Sequence, residues 1–261
     1  MKLPLYQVDA FTSRLFGGNP AAVVLLEDWL PDDVLAAIAA ENNLAETAFV
    51  IPGADTMPLR WFTPKVEVPL CGHATLASAA VVMERLEPGR REVVFQSASG
   101  PLSVTRTGAS YAMNFPSRPS VRVPTPEALT RALGADPLEV WENSFNFMAV
   151  FERADAVRAL VPDMPAVASL GRPGVIATAA GDRGFDCVSR YFAPAKGIPE
   201  DPVTGGAHCM LAPYWAQRLG KSTLRAHQAS ARGGELTCRV VGERVELEGA
   251  CVFYLEGEAE Y

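Results

Sequence analysis

Two similar glycine turns, each followed by a stretch of small and apolar residues, constrain the fold of this chain most strongly. The first turn lies in P-L-C-G-H-A-T-L-A and the second in P-V-T-G-G-A-H-C-M-L-A. Gly72 and Gly205, which mark the two turns, are separated by half of the chain. Repetition of one structural unit leaves such an echo in a sequence. The pair therefore predicts an internal duplication, with two β-rich halves that each wrap around one central helix.

The two central helices are predicted over residues 73–86 and 206–219. Both stretches carry small and apolar residues nearly all round, which is typical of buried helices rather than surface helices. Pro213 lies inside the second stretch, and we expect it to kink or restart that helix because proline lacks a backbone N–H. Two further helices are predicted over Pro31–Glu41 and Thr125–Leu133.

Short apolar runs, many with a period of two, predict strands between these helices. The segment Phe115–Pro126 holds four prolines in twelve residues and is interpreted as the connector between the halves. The predicted halves are residues 1–117 and 118–261, and the last strand is allowed to cross back into the first half. The predicted fold class is α+β, with two pseudo-symmetric halves.

Composition and charge exclude several classes of protein. Apolar residues make up 49 % of the chain and charged residues 20 %, which excludes disorder. The net charge of −7 and the lack of a Lys/Arg run exclude nucleic acid as a partner. Five scattered cysteines predict reduced thiols and a cytoplasmic location. We expect neither a signal peptide nor a membrane partner, since the longest apolar run, Ala21–Leu26, is too short for a span.

The two glycine turns are candidate anion sites. A helix N-terminus leaves backbone N–H groups unpaired and carries partial positive charge, and glycine lets a ligand approach the backbone closely. We expect the turns at Gly72 and at Gly205–Gly206 to face each other across the interface between the halves and to hold a small carboxylate. The alternative is that these glycines only permit tight turns and close packing of helix on sheet.

Glu46 and Asp201 are the candidate acid/base residues. Glu46 precedes the apolar run Ala48–Ile51, and a carboxylate facing a dry interior suits general acid/base catalysis. The alternative is a solvated glutamate at the start of a strand. Asp201 directly precedes the second glycine turn, where an Asx-turn or capping role is the alternative.

Two of the three histidines, His73 and His208, fall inside the glycine turns. A zinc site formed with Cys71 and Cys209 is conceivable, but the spacings differ from those of common zinc ligand pairs. The sequence lacks a P-loop, a G-x-S-x-G elbow, an H-E-x-x-H motif and a G-x-G-x-x-G motif after a strand. We therefore predict that the protein uses no metal and no cofactor, and that its own side chains carry the chemistry.

Five segments of the chain, in this order and spacing, carry a family resemblance. They are D-A-F-T-S-R-L-F-G-G-N-P-A-A-V-V (9–24), N-L-A-E-T-A-F-V (43–50), R-W-F-T-P-K-V-E-V-P-L-C-G-H-A-T-L-A (60–77), E-D-P-V-T-G-G-A-H (200–208) and Q-A-S-A-R-G-G-E-L (228–236). Together they resemble the phenazine-biosynthesis isomerase (PhzF) family. The resemblance implies the diaminopimelate-epimerase-like fold, in which two β-roll halves each surround a central helix and the active site lies between them. It also implies a cofactor-independent, homodimeric enzyme whose phenazine member moves a proton along a conjugated dihydro-hydroxyanthranilate ring.

The resemblance assigns roles to individual residues. The acid/base glutamate of the family falls on Glu46, its G-H pair on Gly72–His73 and its motif aspartate on Asp201. The substrate-binding turn falls on Thr204-Gly205-Gly206-Ala207. Many members have a serine that contacts the substrate where this chain has Gly206, which puts the phenazine precursor in doubt as the substrate.

The predicted function is an isomerase in which Glu46 moves a proton within a small carboxylate-bearing molecule, while Asp201 and His73 bind its polar groups. One alternative is an amino-acid or hydroxy-acid epimerase that uses Cys71 with Glu46 or Asp201. Racemases of this superfamily use two cysteines, and Pro202–Val203 stands where the second would fall, so Cys71 is interpreted as a small buried residue. The other alternative is a non-catalytic protein that binds small carboxylates.

Overall fold

The computed structural model describes residues 2–53 and 55–261. These residues form two compact units. The first unit holds the chain up to Asn114 together with Glu248–Tyr261, and the second unit holds Phe115–Leu247. The C-terminal segment returns to the first unit because the last strand pairs antiparallel with the first one, from Lys2 opposite Glu260 to Ala10 opposite Cys251.

The first unit contains eight strands besides the returning segment, one surface helix and one buried helix. The buried helix continues into a π-helical turn at Val82–Leu86. The strands are β1 (Lys2–Ala10), β2 (Asn19–Leu25), β3 (Glu46–Val50), β4 (Thr56–Phe62), β5 (Glu67–Val68), β6 (Glu92–Ser97), β7 (Gly100–Thr107) and β8 (Ser110–Pro116), and the helices are α1 (Asp32–Asn42) and α2 (Gly72–Val81).

The second unit contains a similar set of strands, with three short helices and one long one. A single 3₁₀ turn, Pro194–Lys196, precedes β14. The strands are β9 (Val121–Val123), β10 (Glu139–Glu142), β11 (Asn146–Val150), β12 (Gly174–Ala180), β13 (Cys187–Ala193), β14 (Ile198–Glu200), β15 (Thr223–Gln228) and β16 (Gly234–Val241), and the helices are α3 (Glu127–Leu133), α4 (Ala154–Arg158), α5 (Met164–Ala168) and α6 (Gly205–Leu219). The last strand, β17 (Arg244–Glu260), begins in this unit and continues as the returning segment of the first unit.

The strands of the two units pair in the same order. In the first unit β1–β2 is antiparallel, β2–β3 parallel, β3–β4 antiparallel and β4–β6 parallel. In the second unit β10–β11, β11–β12, β12–β13 and β13–β15 repeat this alternation. A parallel pair needs a long crossover, and in each unit the last crossover carries the long helix, α2 or α6. The internal duplication predicted from the two glycine turns is thus visible in the topology.

Both long helices are buried, as their all-round apolar composition predicts. Every residue of α2 from His73 to Val81 is buried, and the helix packs against β1, β2 and β3. In α6, Ala207–Ala212 are buried, and this helix packs against β15 and β16. Each helix begins one residue earlier than predicted, at the glycine of the turn. Helix α2 also ends earlier, at Val81, where the π-helical turn takes over.

Helix α6 does not restart at Pro213, contrary to one of the two outcomes expected from the sequence. Proline removes the N–H that would bond the carbonyl of Cys209, four residues earlier. The backbone N–H of Arg118 donates to that carbonyl instead, at 2.9 Å. A donor from another segment therefore satisfies the carbonyl that the proline leaves open.

The two remaining predicted helices are confirmed with small shifts. Helix α1 runs from Asp32 to Asn42, with Pro31 as its N-cap. Helix α3 begins at Glu127 rather than Thr125, and it ends before Gly134, whose φ of 68° suits the left-handed C-cap position. None of the helices described is long and apolar enough to cross a membrane.

Candidate active site

Glu46 lies beside the start of the buried helix α2. It is the first residue of β3, and the residues that follow it in the strand are buried, so Glu46 marks the point where the strand leaves the core. Its Oε2 lies 3.2 Å from Nε2 of His73, and the two side chains are 19 % and 7 % exposed. The predicted acid/base glutamate and the predicted histidine are therefore in contact within the first unit.

The His73 imidazole is neutral in this arrangement. Asn19 Nδ2 lies 3.2 Å from His73 Nδ1. With the Asn19 amide in this orientation, Nδ1 accepts, which assigns the ring proton to Nε2, the nitrogen that faces Glu46. Burial lowers the pKa of His73 to about 3. The Nε2–H is not aligned with the Glu46 carboxylate, although the distance suits a hydrogen bond. Catalytic hydrogen bonds are often poorly aligned until a substrate is bound.

Cys71 completes this group of side chains. It is the N-cap residue of α2, it is buried, and its Sγ lies 3.5 Å from Nδ1 of His73. We call Asn19, Glu46, Cys71 and His73 the first cluster. The burial of Cys71 agrees with its interpretation as a small buried residue. Its contact with His73 was not predicted from the sequence.

The first cluster also contains the donors of a conceivable metal site. One ligand atom each of Glu46, Cys71 and His73 lies within 4.8 Å of the others, and they form the one such group in the described part of the chain. Cys71 faces Nδ1 of the ring, whereas Glu46 faces Nε2. A metal bound by all three residues would be coordinated by one ring nitrogen together with the Cys71 thiolate and the Glu46 carboxylate. Because these two groups face different ring nitrogens, the side chains would need to reorient. The set considered in the sequence, with His208 and Cys209, does not form this group.

Asp201 and Thr204 form a second group of polar side chains at the start of α6. Thr204 Oγ1 donates to Asp201 Oδ2 at 2.7 Å. Gln228, on β15, accepts from the Thr204 N–H at 2.8 Å and donates to the Asp201 carbonyl at 2.7 Å. We call Asp201, Thr204 and Gln228, with Gly205 and Gly206, the second cluster. Its hydrogen bonds fix the shape of the turn that precedes the helix.

The first turn of α6 keeps unpaired backbone donors. Thr204 is the N-cap residue, but its hydroxyl binds Asp201 and caps no helical N–H. The Thr204 carbonyl accepts from the N–H groups of Ala207 and His208. Within residues 2–53 and 55–261, no acceptor binds the N–H groups of Gly205 and Gly206, which are half-buried. This turn can therefore hold an anion.

His208 has a structural contact in the second unit. Its Nδ1 lies 2.8 Å from the Thr204 carbonyl, which can only accept, so the ring donates from Nδ1. The side chain is fully buried, and burial lowers its pKa to about 4. His208 is therefore neutral at ordinary pH, and it holds the carbonyl of the N-cap residue in place.

The predicted site residues thus form two groups, one within each unit. Glu46 and His73 are together, with Gly72 as the first residue of α2. Asp201 and Thr204 are together, followed by Gly205, Gly206 and Ala207 as the first residues of α6. Sequence reasoning missed Asn19 and Gln228. Both lie in segments that carry the family resemblance. For Asn19, a polar residue in an otherwise apolar strand was the available signal, whereas β15 holds other polar residues besides Gln228.

Comparison with known proteins decides the family. Residues 8–257 match the PhzC-PhzF family model, described as phenazine biosynthesis-like protein. A protein of Pseudomonas aeruginosa named as an uncharacterized isomerase is 50 % identical over 258 residues, which cover 98 % of each chain. This chain belongs to the PhzF family.

Solved structures agree with this assignment. A PhzF-family protein of Enterococcus faecalis has a TM-score of 0.97 and 44 % identity, and the match covers 100 % of both chains. A hydroxyproline epimerase of Agrobacterium vitis has a TM-score of 0.58 at 13 % identity, covering 98 % of this chain and 92 % of its own. This second likeness concerns the fold alone. The predicted diaminopimelate-epimerase-like fold is confirmed, and so is the prediction of an isomerase-class enzyme.

Proposed function

We propose that this PhzF-family protein is a cofactor-independent isomerase that moves a proton within a small carboxylate-bearing substrate, with Glu46 as the general acid/base. The observation that carries the proposal is the contact of Glu46 with the neutral, buried His73. A carboxylate at the edge of a dry core can take a proton from a carbon and return it to another carbon of the same molecule.

His73 supports this role because it is uncharged. A lysine or arginine at its position would form an ion pair with Glu46 and compete with the substrate for the carboxylate. A neutral imidazole lies beside the carboxylate without forming such a pair, and its Nε2 proton, which no acceptor binds in the described chain, is available for a polar group of the substrate. Asn19 fixes the tautomer that places the proton on this side of the ring.

The glycine turns are proposed to hold the carboxylate of the substrate. Neither α2 nor α6 has an acidic residue in its first turn, and neither has a side-chain cap, so each helix start keeps donors and positive potential. Backbone N–H groups at Gly72, Gly205 and Gly206 would bind the carboxylate and stabilise the charge that develops next to it. Thr204, Ala207 and Asp201 would complete the binding surface, with Asp201 held by Thr204.

A second candidate function is an epimerase, which the contact between Cys71 and His73 favours. The Cys71 thiol lies 3.5 Å from Nδ1 of His73 and near Glu46, so two groups able to exchange protons stand close together. An epimerase of this kind would remove and replace the proton on one α-carbon.

We further propose that the protein is a cytoplasmic homodimer, on the basis of the family resemblance alone.

Deuterium labelling tests the proposal and separates it from the epimerase. The enzyme is incubated in D₂O with dihydro-hydroxyanthranilate and with a panel of amino and hydroxy acids, and the products are followed by NMR. An isomerase changes the connectivity of its substrate, whereas an epimerase labels the α-carbon and keeps the connectivity. Ligands that are bound but recovered without label and without change would contradict both functions and indicate a binding protein.

A further inference from the structure

Arg118 is a half-buried arginine whose guanidinium has no carboxylate partner among the residues described. Arg14 and Arg91 also lack such a partner there, but both are exposed to solvent. A guanidinium carries five N–H donors and stays charged at all ordinary pH values. Partial burial of such a group without an anion is unfavourable. Arg118 is therefore in a state that binding of an anion would improve.

Two contacts hold Arg118 in place. Its backbone N–H donates to the Cys209 carbonyl, at the position that Pro213 leaves open in α6. Its guanidinium lies over the ring of Phe145, with the central carbon 4.6 Å from the ring centroid. The arginine is thus attached to the first half of α6, and its head group is supported on one face by an aromatic ring.

The guanidinium points at Gly206. A Cβ atom added at Gly206 would lie 3.4 Å from Nη1 of Arg118, in ordinary contact, and any atom beyond that Cβ would compete with the guanidinium for space. The N–H groups of Gly205 and Gly206 have no acceptor in the described chain. One face of the second cluster thus presents a planar cation next to two backbone donors.

We infer that Arg118 binds the carboxylate of the substrate, together with the N–H groups of Gly205 and Gly206. The inference rests on the proposed function and names a residue that recognises the substrate. A guanidinium matches a carboxylate with two parallel hydrogen bonds, which gives selectivity for a free acid over its neutral analogues. Gly206 and Arg118 then form a pair that sets specificity.

Calorimetric titration with a charged ligand and its neutral analogue tests the inference. Wild-type protein is titrated with anthranilate and with anthranilamide, and the titrations are repeated with Arg118→Gln. Wild-type protein should bind anthranilate saturably and more tightly than the amide. Arg118→Gln should weaken anthranilate binding by about 10- to 100-fold, as expected for the loss of a hydrogen bond between charged groups, and leave amide binding unchanged.

Two further variants control this experiment. Arg91→Gln removes an exposed arginine that also lacks a carboxylate partner, and it should bind both ligands as the wild type does. The double variant Arg118→Gln with Gly206→Ser should regain part of the affinity, because a hydroxyl supplies one of the lost hydrogen bonds. Arg118→Gln keeps the backbone bond to Cys209, so the fold should be retained.

The outcomes separate this inference from the proposed function. Unchanged anthranilate binding by Arg118→Gln, an equal loss for acid and amide, or no saturable binding by the wild type would each overturn the role of Arg118. Turnover by Glu46→Gln bears on the proposed function alone. If Glu46→Gln is inactive and Arg118→Gln still binds the acid normally, only the inference about Arg118 fails.

Discussion

The starts of α2 and α6 occupy the same place in the repeated topology but carry different chemistry. At α2, a carboxylate, a thiol and a neutral imidazole gather around the first turn. At α6, hydrogen bonds among Asp201, Thr204 and Gln228 shape a turn with open backbone donors. The comparison teaches that a duplicated unit can divide its tasks. In the function proposed above, the first copy would provide the proton carrier and the second copy the binding surface.

The largest expected effect separates the two tasks in steady-state kinetics. Glu46→Gln should lower kcat by about 10² to 10⁴, because general acid/base catalysis supplies that much, with little change in KM. Asp201→Asn should mainly raise KM, because its partner Thr204 lies in the binding turn. If the two variants lowered kcat by the same factor and raised KM by the same factor, the two clusters would not have separate tasks.

Acid should destabilise both units through their buried histidines. His73 and His208 have pKa values lowered to about 3 and about 4, whereas an unfolded chain binds these protons near pH 6.5. Since the unfolded state binds more protons below pH 6.5, the free energy of unfolding should fall as pH decreases, by about 1.4 kcal/mol per pH unit for each histidine. Urea unfolding between pH 4.5 and about pH 7 measures this slope.

Variants assign the slope to each histidine. His73→Asn and His208→Gln should each remove about half of it, whatever their stability at pH 7. If the slope is the same in both variants as in the wild type, the buried histidines are not responsible for acid sensitivity.

A smaller effect is expected from Gln228, which is fully buried in the second cluster. Gln228→Met removes the acceptor of the Thr204 N–H and the donor to the Asp201 carbonyl. Loss of partners for buried polar groups should lower the free energy of unfolding by about 2 kcal/mol and raise KM, because the turn loses its support. Chemical unfolding and kinetics check the two effects. An increase in the free energy of unfolding would show that the hydrogen bonds of Gln228 with Thr204 and Asp201 do not stabilise the wild type.

The smallest effect is expected at Cys71. Cys71→Ala removes the thiol next to His73 but keeps the N-cap backbone, so an isomerase that depends on Glu46 should keep its kcat. An epimerase that uses the thiol would lose turnover. The rate of substrate conversion by this variant therefore distinguishes the two functions proposed for the first cluster.

The repeated glycine turns and their buried helices were predictable because composition and spacing act locally. The contact of Glu46 with His73 was not predictable in this way. It joins the start of β3 to the start of α2, and it depends on the pairing of β2 with β3 and on the packing of α2 against these strands. Asn19 and Gln228 were missed because a polar residue in a strand does not show from the sequence which group it will bind. The continuity of α6 through Pro213 depends on Arg118, far away in the sequence.

The short helices α4 and α5 were not predicted either. Each has five residues, which is too few for a helical period to be recognised or for a helix to be stable alone. Packing of Val157 and Val167 into the core of the second unit holds them in place. Local patterns thus predict long buried elements well, and they fail where tertiary packing supplies most of the stability.

Hydrogen exchange into a bound substrate tests the role of Glu46 most directly. Wild-type and Glu46→Gln proteins are incubated with substrate in D₂O, binding is measured by calorimetry, and the substrate is analysed for deuterium. We predict that the variant binds the substrate with wild-type affinity and exchanges its hydrogen about 10² to 10⁴ times more slowly than the wild type does. Deuterium entering the substrate at the wild-type rate in Glu46→Gln would show that another group carries the proton.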